Sequence, residues 1–504
     1  MPENQSGVLV IYTGGTIGSK PRDPDPDSPQ VVVSWDELQT ATPELMTLMG
    51  RGLPVHCHSI DPLDSCNVGP KEWQQIAGII RDNYERYEGF VILHGTDTMV
   101  YTASALSFML RELGKPVILT GAQRSAMVDV RNDATQNFVT SILLAAPFFS
   151  KIPVVPEVCI YFGGKLFRGN RTIKRDTAGY EAYESPNLPP LGEVGDKIII
   201  HEDLIRPVPP ANRRFNVRTQ LDTNVTTVLV YPGLQNTDLA RRQLEGIVET
   251  TSRRPDSLKA AIVLSYGSGN IPTLWPDFLN TFQEAREKGV VLVNVSQCRR
   301  GGVELGIYET SALLLELGFC AANDITLEAA VCKLMSLLGD PDLSQDDVED
   351  AYQKSIAGEQ SYSTYVTKYV MKLGTLTRDK DSATLRIPGR PLEGGWTPSR
   401  VDRALLRFRG ASVSNPVSRG PVTFRVYMNL DKPEDATRDH PGFVGVFRKE
   451  TQEAGIIVFD VTRILTALTK PGDRASFTVF LETDGASLSW REVEVAVIAR
   501  EAGA

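Results

Sequence analysis

Short apolar runs alternate with longer amphipathic stretches over the first two hundred residues. Residues 8–12, 90–93, 116–119 and 158–162 are uninterrupted apolar segments, the pattern of strands buried on both faces. Residues 73–87, 102–113 and 133–145 instead repeat their apolar positions every three to four residues, which predicts amphipathic helices. Strands alternating with helices in this way predict a parallel sheet covered on both faces. Residues 204–223 break the pattern with Pro207, Pro209 and Pro210 and read as a connector. A second alternating unit follows, with strands at 227–231, 260–265 and 290–295 and helices near 239–250 and 274–288. Helical patterns then dominate residues 310–373.

Between residues 374 and 396 the composition turns to glycine, proline and charge, a boundary signal. Short β-type runs come after it, at 405–408, 422–428, 442–447, 454–458, 477–481 and 493–498, with one helix-like interruption at 461–468. They predict an antiparallel all-β sandwich or barrel. The pieces 442–447 and 459–468 resemble the β-sandwich domain that ends plant polyphenol oxidases. The expected organisation is two doubly wound α/β domains followed by an all-β domain: an α/β domain over 1–205, a connector over 206–224, a smaller α/β domain over 225–373, a linker over 374–400 and the β domain over 401–504.

A chain of 504 residues with 41% apolar and 23% charged positions has the balance of an ordinary globular protein, too long for one core. Its net charge of −9, without a dense basic cluster, argues against nucleic acid as a partner. No apolar run reaches membrane-spanning length, and residues 1–7 are polar without a signal-peptide layout. The six cysteines show no pairing pattern and read mostly as reduced core thiols, so the expected location is cytoplasmic.

Two strand-to-loop junctions carry the candidate chemistry. The run 90–93 ends in His94-Gly95-Thr96-Asp97-Thr98, which sets a hydroxyl beside a carboxylate at a strand's carboxyl end, and 8–12 runs into Thr13-Gly14-Gly15-Thr16-Ile17-Gly18. Open α/β sheets bind ligands in the crevice beyond those ends, and glycines there allow close backbone approach. Thr16 and Thr96 are thereby predicted to face one cleft.

The stretches 10–18 and 89–99 resemble the two signature motifs of bacterial-type L-asparaginases, and the similarity extends from about residue 7 to about residue 373. Asp64-Ser65-Cys66 is similar to the Asp-Ser-Ser of the intracellular type I branch. The resemblance implies hydrolysis of L-asparagine, with L-glutamine as the alternative, without metal or cofactor. It implies Thr16 as nucleophile and Thr96, Asp97 and Lys174 as a hydrogen-bonded activating group, the division of labour between the threonines staying open. It further implies substrate contacts at Gly15, Asp64, Ser65, Cys66, Gly95 and Ala122, and at Asn270 supplied across a subunit interface of a homodimer or homotetramer. Physically, a lysine in a dry site beside a carboxylate can have its pKa tuned for proton handling.

The chain departs from the family in three places. Residues 19–40 lack the tyrosine expected to orient the nucleophile and hold Pro21, Pro24, Pro26 and Pro29 among aspartates, which predicts a poorly anchored loop closing over Thr16. Cys66 replaces a hydroxyl residue. Leu264 and Ile173 stand where allosteric members carry an arginine and a threonine, implying a hyperbolic substrate response.

Competing readings are weaker. Thr13-Gly14-Gly15-Thr16 lacks the Lys-Ser or Lys-Thr of a phosphate loop. His94 reads as a hydrogen-bonded structural residue. His56 and His58 alternate on a strand without a third ligand at metal spacing, and no Gly-x-Ser-x-Gly elbow occurs to support a serine hydrolase or a lysophospholipase of that kind. The remaining rivals are a glutaminase or tRNA-dependent amidotransferase subunit and a catalytically impaired amino-acid-binding or scaffolding protein.

Overall fold

The computed structural model describes residues 7–23, 28–128, 130–234, 258–303, 305, 313–314, 317–377, 382–386, 401–414, 421–430, 432–449, 455–468, 476–483 and 486–502. The chain forms two units, the second spanning Tyr362–Ala502.

The first unit begins with β1 (Val8–Tyr12), β2 (Ser19–Pro21), β3 (Gln30–Val32) and β4 (Val55–Ser59). Helix α1 (Pro70–Asn83), β5 (Gly89–Leu93), α2 (Met99–Met109), β6 (Leu110–Arg111), β7 (Val117–Thr120) and α3 (Ala134–Ala145) come next. After β8 (Val158–Phe162) the elements are short: β9 (Lys165–Arg168), β10 (Ile173–Lys174), β11 (Tyr183–Glu184), β12 (Gly192–Val194), β13 (Ile198–Ile200) and β14 (Asn216–Val217).

Eight of these strands form one sheet in the order β13-β12-β9-β8-β7-β5-β1-β4. Strands β4, β1, β5, β7 and β8 run parallel, while β9, β12 and β13 are antiparallel, so the expected all-parallel sheet is corrected to a mixed one. Every residue of β1 and β5 is buried, as their unbroken apolar runs require. Each such Val, Ile or Leu is worth about 2 kcal/mol of apolar burial.

Helix α2 departs from the expected 102–113 span. It starts at Met99, directly after the His94–Thr98 motif, and is buried on nearly all sides. It ends where β6 pairs with β14 of the connector, and Phe215 of that connector stacks on Tyr84 with ring centroids 3.7 Å apart. The connector is thus held against the first lobe.

The second lobe carries a parallel sheet of β15 (Val225–Leu229), β16 (Ala260–Ser265), β17 (Val291–Ser296) and β18 (Cys320–Ala321), with helices α4 (Pro276–Glu287), α5 (Leu327–Leu338) and α6 (Gln345–Tyr352). The helix expected at 239–250 lies outside the described residues. One apolar cluster runs from Ile11 and Phe90 through α2 to Ile262, Val293 and Leu334, joining the two lobes. Arg171 adds a bidentate pair to Asp324 at 3.0 and 2.7 Å, and Lys333 and Glu359 form a fully buried ion pair at 2.5 Å.

Among the described residues, the second unit is β apart from helix α7 (Thr462–Leu468) and a 3-10 turn at Pro433–Asp435. Strands β19 (Tyr362–Thr377), β20 (Ser382–Arg386), β21 (Val401–Ser414), β22 (Val422–Met428), β23 (Phe443–Lys449), β24 (Gly455–Asp460), β25 (Ser476–Leu481) and β26 (Ser487–Ala502) make two four-stranded sheets, β19-β26-β21-β24 and β20-β25-β22-β23. Both contribute to one core that includes Leu406, Phe408, Phe424, Phe459, Phe477 and Trp490. Here too an expectation is corrected. The helical pattern read up to residue 373 gives way to a strand from Tyr362 that pairs along β26, and part of the expected linker is β20.

All six cysteines are free. Cys159, Cys320 and Cys332 are buried, Cys57 is half-buried, and Cys66 and Cys298 are exposed, so the core-thiol reading holds for half of them. Among the described residues no helix is long and apolar enough to cross a membrane.

Candidate active site

Strand order places the cleft. The chain goes from β1 to β4 on one side, then crosses to β5 on the other, so β1 marks the switch point where loops leave in opposite directions. A cavity of about 740 Å³ opens there, lined by Gly15 and Thr16 after β1, Leu63, Asp64 and Ser65 after β4, Gly95, Thr96 and Asp97 after β5, and Gln123, Arg124 and Ser125 after β7. The loops can converge because two positions lack a side chain. A Cβ on Gly15, whose φ is 90°, would lie 2.6 Å from the Gly95 nitrogen, and a Cβ on Gly95 would lie 2.6 Å from Ser65 Oγ.

The two threonines at strand ends have different surroundings. Thr13 is structural: it is buried and its hydroxyl donates to the Leu93 carbonyl at 2.9 Å. Thr16 is exposed at the cavity, in a single 3-10 turn over Thr16–Gly18. Thr96, on the loop after the neighbouring strand β5, is only 9% exposed. The Lys174 ammonium donates to Thr96 Oγ1 at 2.9 Å and to Asp97 Oδ1 at 2.7 Å. The Lys174 side chain is 17% exposed and that of Asp97 63%, so the amine is largely screened from water and the carboxylate faces the cavity.

Ser65 completes the floor. It is buried, its Oγ accepts from the Asp97 amide at 3.3 Å, and its own carbonyl accepts from Thr98 Oγ1 at 2.6 Å. The Ser65 hydroxyl proton is therefore free to be given to an anionic ligand. The amino end of α2 begins at the next residues, and its partial positive charge favours the same kind of group. Asp133 holds the loop after β7 by accepting from the Gln123 and Arg124 amides at 3.0 Å.

His94 lies beneath this floor. It is fully buried between the Gly95 carbonyl, 2.7 Å from Nδ1, and Thr102 Oγ1, 2.9 Å from Nε2, while Trp73 Nε1 donates to the same Thr102 oxygen at 3.0 Å. This arrangement fits a neutral ring protonated at Nδ1, and burial depresses its pKa to about 4. The hydrogen-bonded structural role expected for His94 agrees with these contacts. Hydrogen bonding to Asp64 raises the thiol pKa of the exposed Cys66, which suits it poorly to nucleophilic work.

Of the residues named from sequence, Gly15, Thr16, Asp64, Ser65, Gly95, Thr96 and Asp97 line the cavity, and Lys174 reaches it through Thr96 and Asp97. Cys66, Ala122 and Asn270 do not line it. Asn270 closes a tight turn against Tyr266 in the second lobe. His56 and His58 are exposed on β4, with the His56 ring edge-on to Tyr87.

Ser19, Pro21, Gln30 and Val32, from the stretch expected to close over Thr16, line the cavity, and so do Ser125 and Val128, which sequence reading missed. The stretch 20–30, expected to be poorly anchored, is held at its two ends where β2 and β3 pair, by Lys20 to Glu37 at 2.9 Å and by Ser125 Oγ donating to the Ser19 carbonyl; residues 24–27 lie outside the described residues.

With this geometry in place, comparison with known proteins defines the class. Residues 7–206 match the family model described as Asparaginase, N-terminal, and residues 225–351 match the Glutaminase/Asparaginase C-terminal domain. The chain is 38% identical to L-asparaginase 1 of Escherichia coli K12 over 70% of its own length and 98% of that protein. It is also 38% identical to a mouse protein named 60 kDa lysophospholipase, over 70% of this chain and 62% of that one. The solved structure of L-asparaginase I from Vibrio cholerae superposes with a TM-score of 0.61 at 36% identity, covering 71% of this chain and 99% of the other. The chain belongs to the asparaginase family and has its α/β fold with N- and C-terminal domains.

Proposed function

We propose that the chain is an L-asparaginase that converts L-asparagine to L-aspartate and ammonia through an acyl-enzyme on Thr16. The observation that carries this reading is the Lys174 ammonium bonded to both Thr96 and Asp97 on a cavity that Thr16 also lines. In this reading Thr16 Oγ attacks the side-chain amide carbon. The hydroxyl proton passes to the leaving nitrogen, and ammonia departs as the ester forms. Water activated by Thr96 and Lys174 then attacks the ester, releasing aspartate and restoring the Thr16 hydroxyl.

Asp97 neutralises the substrate α-ammonium, while Ser65 and the amino end of α2 receive the α-carboxylate. Gly15, Gly95 and Asp64 shape the pocket; Cys66 and Ala122, set back from the cavity lining, act only behind Ser65 and Gln123. Asn270 comes from a neighbouring subunit, so the working form is a homodimer or homotetramer in the cytoplasm, without cofactor. The C-terminal unit is an appended β-sandwich.

Ammonia release measured with asparagine and glutamine, beside hydrolysis of a lysophospholipid, tests the reading. Higher kcat/KM for asparagine and no lysophospholipid cleavage are expected; absence of ammonia from both amides would overturn it.

A further inference from the structure

We infer that Tyr183 is a positioning residue for this reaction: its phenol fixes the Thr96 backbone so that the Thr96 hydroxyl stays on the Lys174 amine. The inference rests on the proposed joint action of Thr96 and Lys174.

Strands β10 and β11 form a two-stranded antiparallel hairpin in which Lys174 and Tyr183 are direct register partners. Both side chains reach Thr96. Lys174 donates to its hydroxyl at 2.9 Å, and the Tyr183 hydroxyl donates to its backbone carbonyl at 2.5 Å. One rigid element therefore grips one residue at two atoms. Two such contacts from a single hairpin set the direction of the Thr96 side chain more firmly than either would alone.

The tyrosine is itself well fixed. It is 4% exposed, and its ring meets Phe162 edge-on with centroids 5.0 Å apart. It does not line the cavity, so it acts through Thr96 and not on substrate. Burial pushes the phenol pKa up, which keeps the donor protonated throughout the working range. The loop carrying Thr96 also passes through Gly95, so the protein supplies stiffness here from outside the loop.

Tyr183→Phe keeps the ring against Phe162 and removes only the donor. In the full chain it should lower kcat for asparagine about 10-fold with KM within about 2-fold, and shift the pH profile of kcat. In a Lys174→Arg background the same change should cost less than about 2-fold more, because its effect passes through the Lys174 contact. Phe162→Leu loosens the same packing without touching the hydrogen bond, and it should lower thermal stability while leaving kcat and its pH profile in place.

Wild-type kcat in Tyr183→Phe with Lys174→Met inactive would overturn the positioning role. So would a full multiplicative loss in the Lys174→Arg background, or a kcat loss in Phe162→Leu equal to that of Tyr183→Phe with unchanged pH profiles. Near-normal turnover in Lys174→Met would instead overturn the proposed function on which the inference stands.

Discussion

Thr16 and Thr96 face the same cavity, yet the molecule holds them in opposite ways. Thr16 is exposed in a single 3-10 turn, and among the described residues no group hydrogen-bonds its hydroxyl; only its backbone carbonyl is held, by the Ser19 amide and by Ser19 Oγ at 3.1 Å. Thr96 is nearly buried, with its hydroxyl on Lys174 and its carbonyl on Tyr183. A nucleophile has to meet substrate and form a bond, so an unengaged hydroxyl on an open turn suits it. A proton-handling group works best when its partners are aligned before substrate arrives and water is kept away. Under the proposed function, the difference teaches that one arm is completed by the substrate and the other is assembled beforehand.

The sharpest way to break this comparison is Thr16→Ala. It should lower ammonia release about 1,000-fold or more while the thermal midpoint stays within about 2 °C, since the side chain is exposed and packs in no core. Thr96→Val and Lys174→Met should each cost about 100-fold or more, with little further loss on combination, because the two groups act as one unit. Intact-mass measurement during turnover then separates the arms. An ester on Thr16 should accumulate in Thr96→Val, where water activation is slowed. An ester on Thr96 in Thr16→Ala would reverse the roles of the two threonines.

The next effect concerns stability and acid. The strand end that carries Thr96 rests on His94, whose pKa in the fold is about 4. An unfolded histidine titrates near 6.5, so the unfolded chain takes up a proton first as pH falls. The contribution is fully present above about pH 6.5 and is lost progressively down to about pH 4, on the order of 3 kcal/mol in all. Urea unfolding of the wild type and of His94→Asn across this window checks it. A wild-type curve no steeper with pH than that of the variant would show that burial of a neutral His94 does not govern the acid limb.

How much of this was legible in the sequence depends on how local the cause is. The strands ending at Tyr12 and Leu93 are set by runs of five and four apolar residues, and the chemistry sits in the residues directly after them, so both could be read along the chain. Strand β19 could not. Tyr362, Tyr365, Val366, Tyr369, Val370 and Leu373 recur at three- and four-residue spacing, which is a helix pattern, but pairing along β26 decides the outcome. Its density of Tyr, Thr and Val was the one local hint of a strand. The contact of Tyr183 with Thr96, 87 positions apart in the chain, exists only after two hairpins and a sheet have formed. The missing lid tyrosine was visible, whereas the serines that anchor the hairpin in its place were not.

The smallest expected effect lies in that anchor and bears on the open arm. Ser125 Oγ donates to the Ser19 carbonyl and accepts from the Met127 amide at 3.0 Å, while Ser19 Oγ holds the Thr16 carbonyl at 3.1 Å. This chain of contacts ties the Thr16 turn to the loop after β7, which is itself held by Asp133. Ser125→Ala removes the first link without adding bulk. If the open arm owes its placement to this tie, kcat should fall about 3- to 10-fold, because small displacements of a nucleophile cost rate steeply. Trypsin should also cut faster after Arg22 on the hairpin, since a released edge opens more often. The closed arm gives the internal control: Ser125→Ala should leave the pH profile of kcat in place, as Lys174 and Tyr183 still hold Thr96. Unchanged kcat together with unchanged cleavage at Arg22 would show that the Thr16 turn is placed by its own backbone alone.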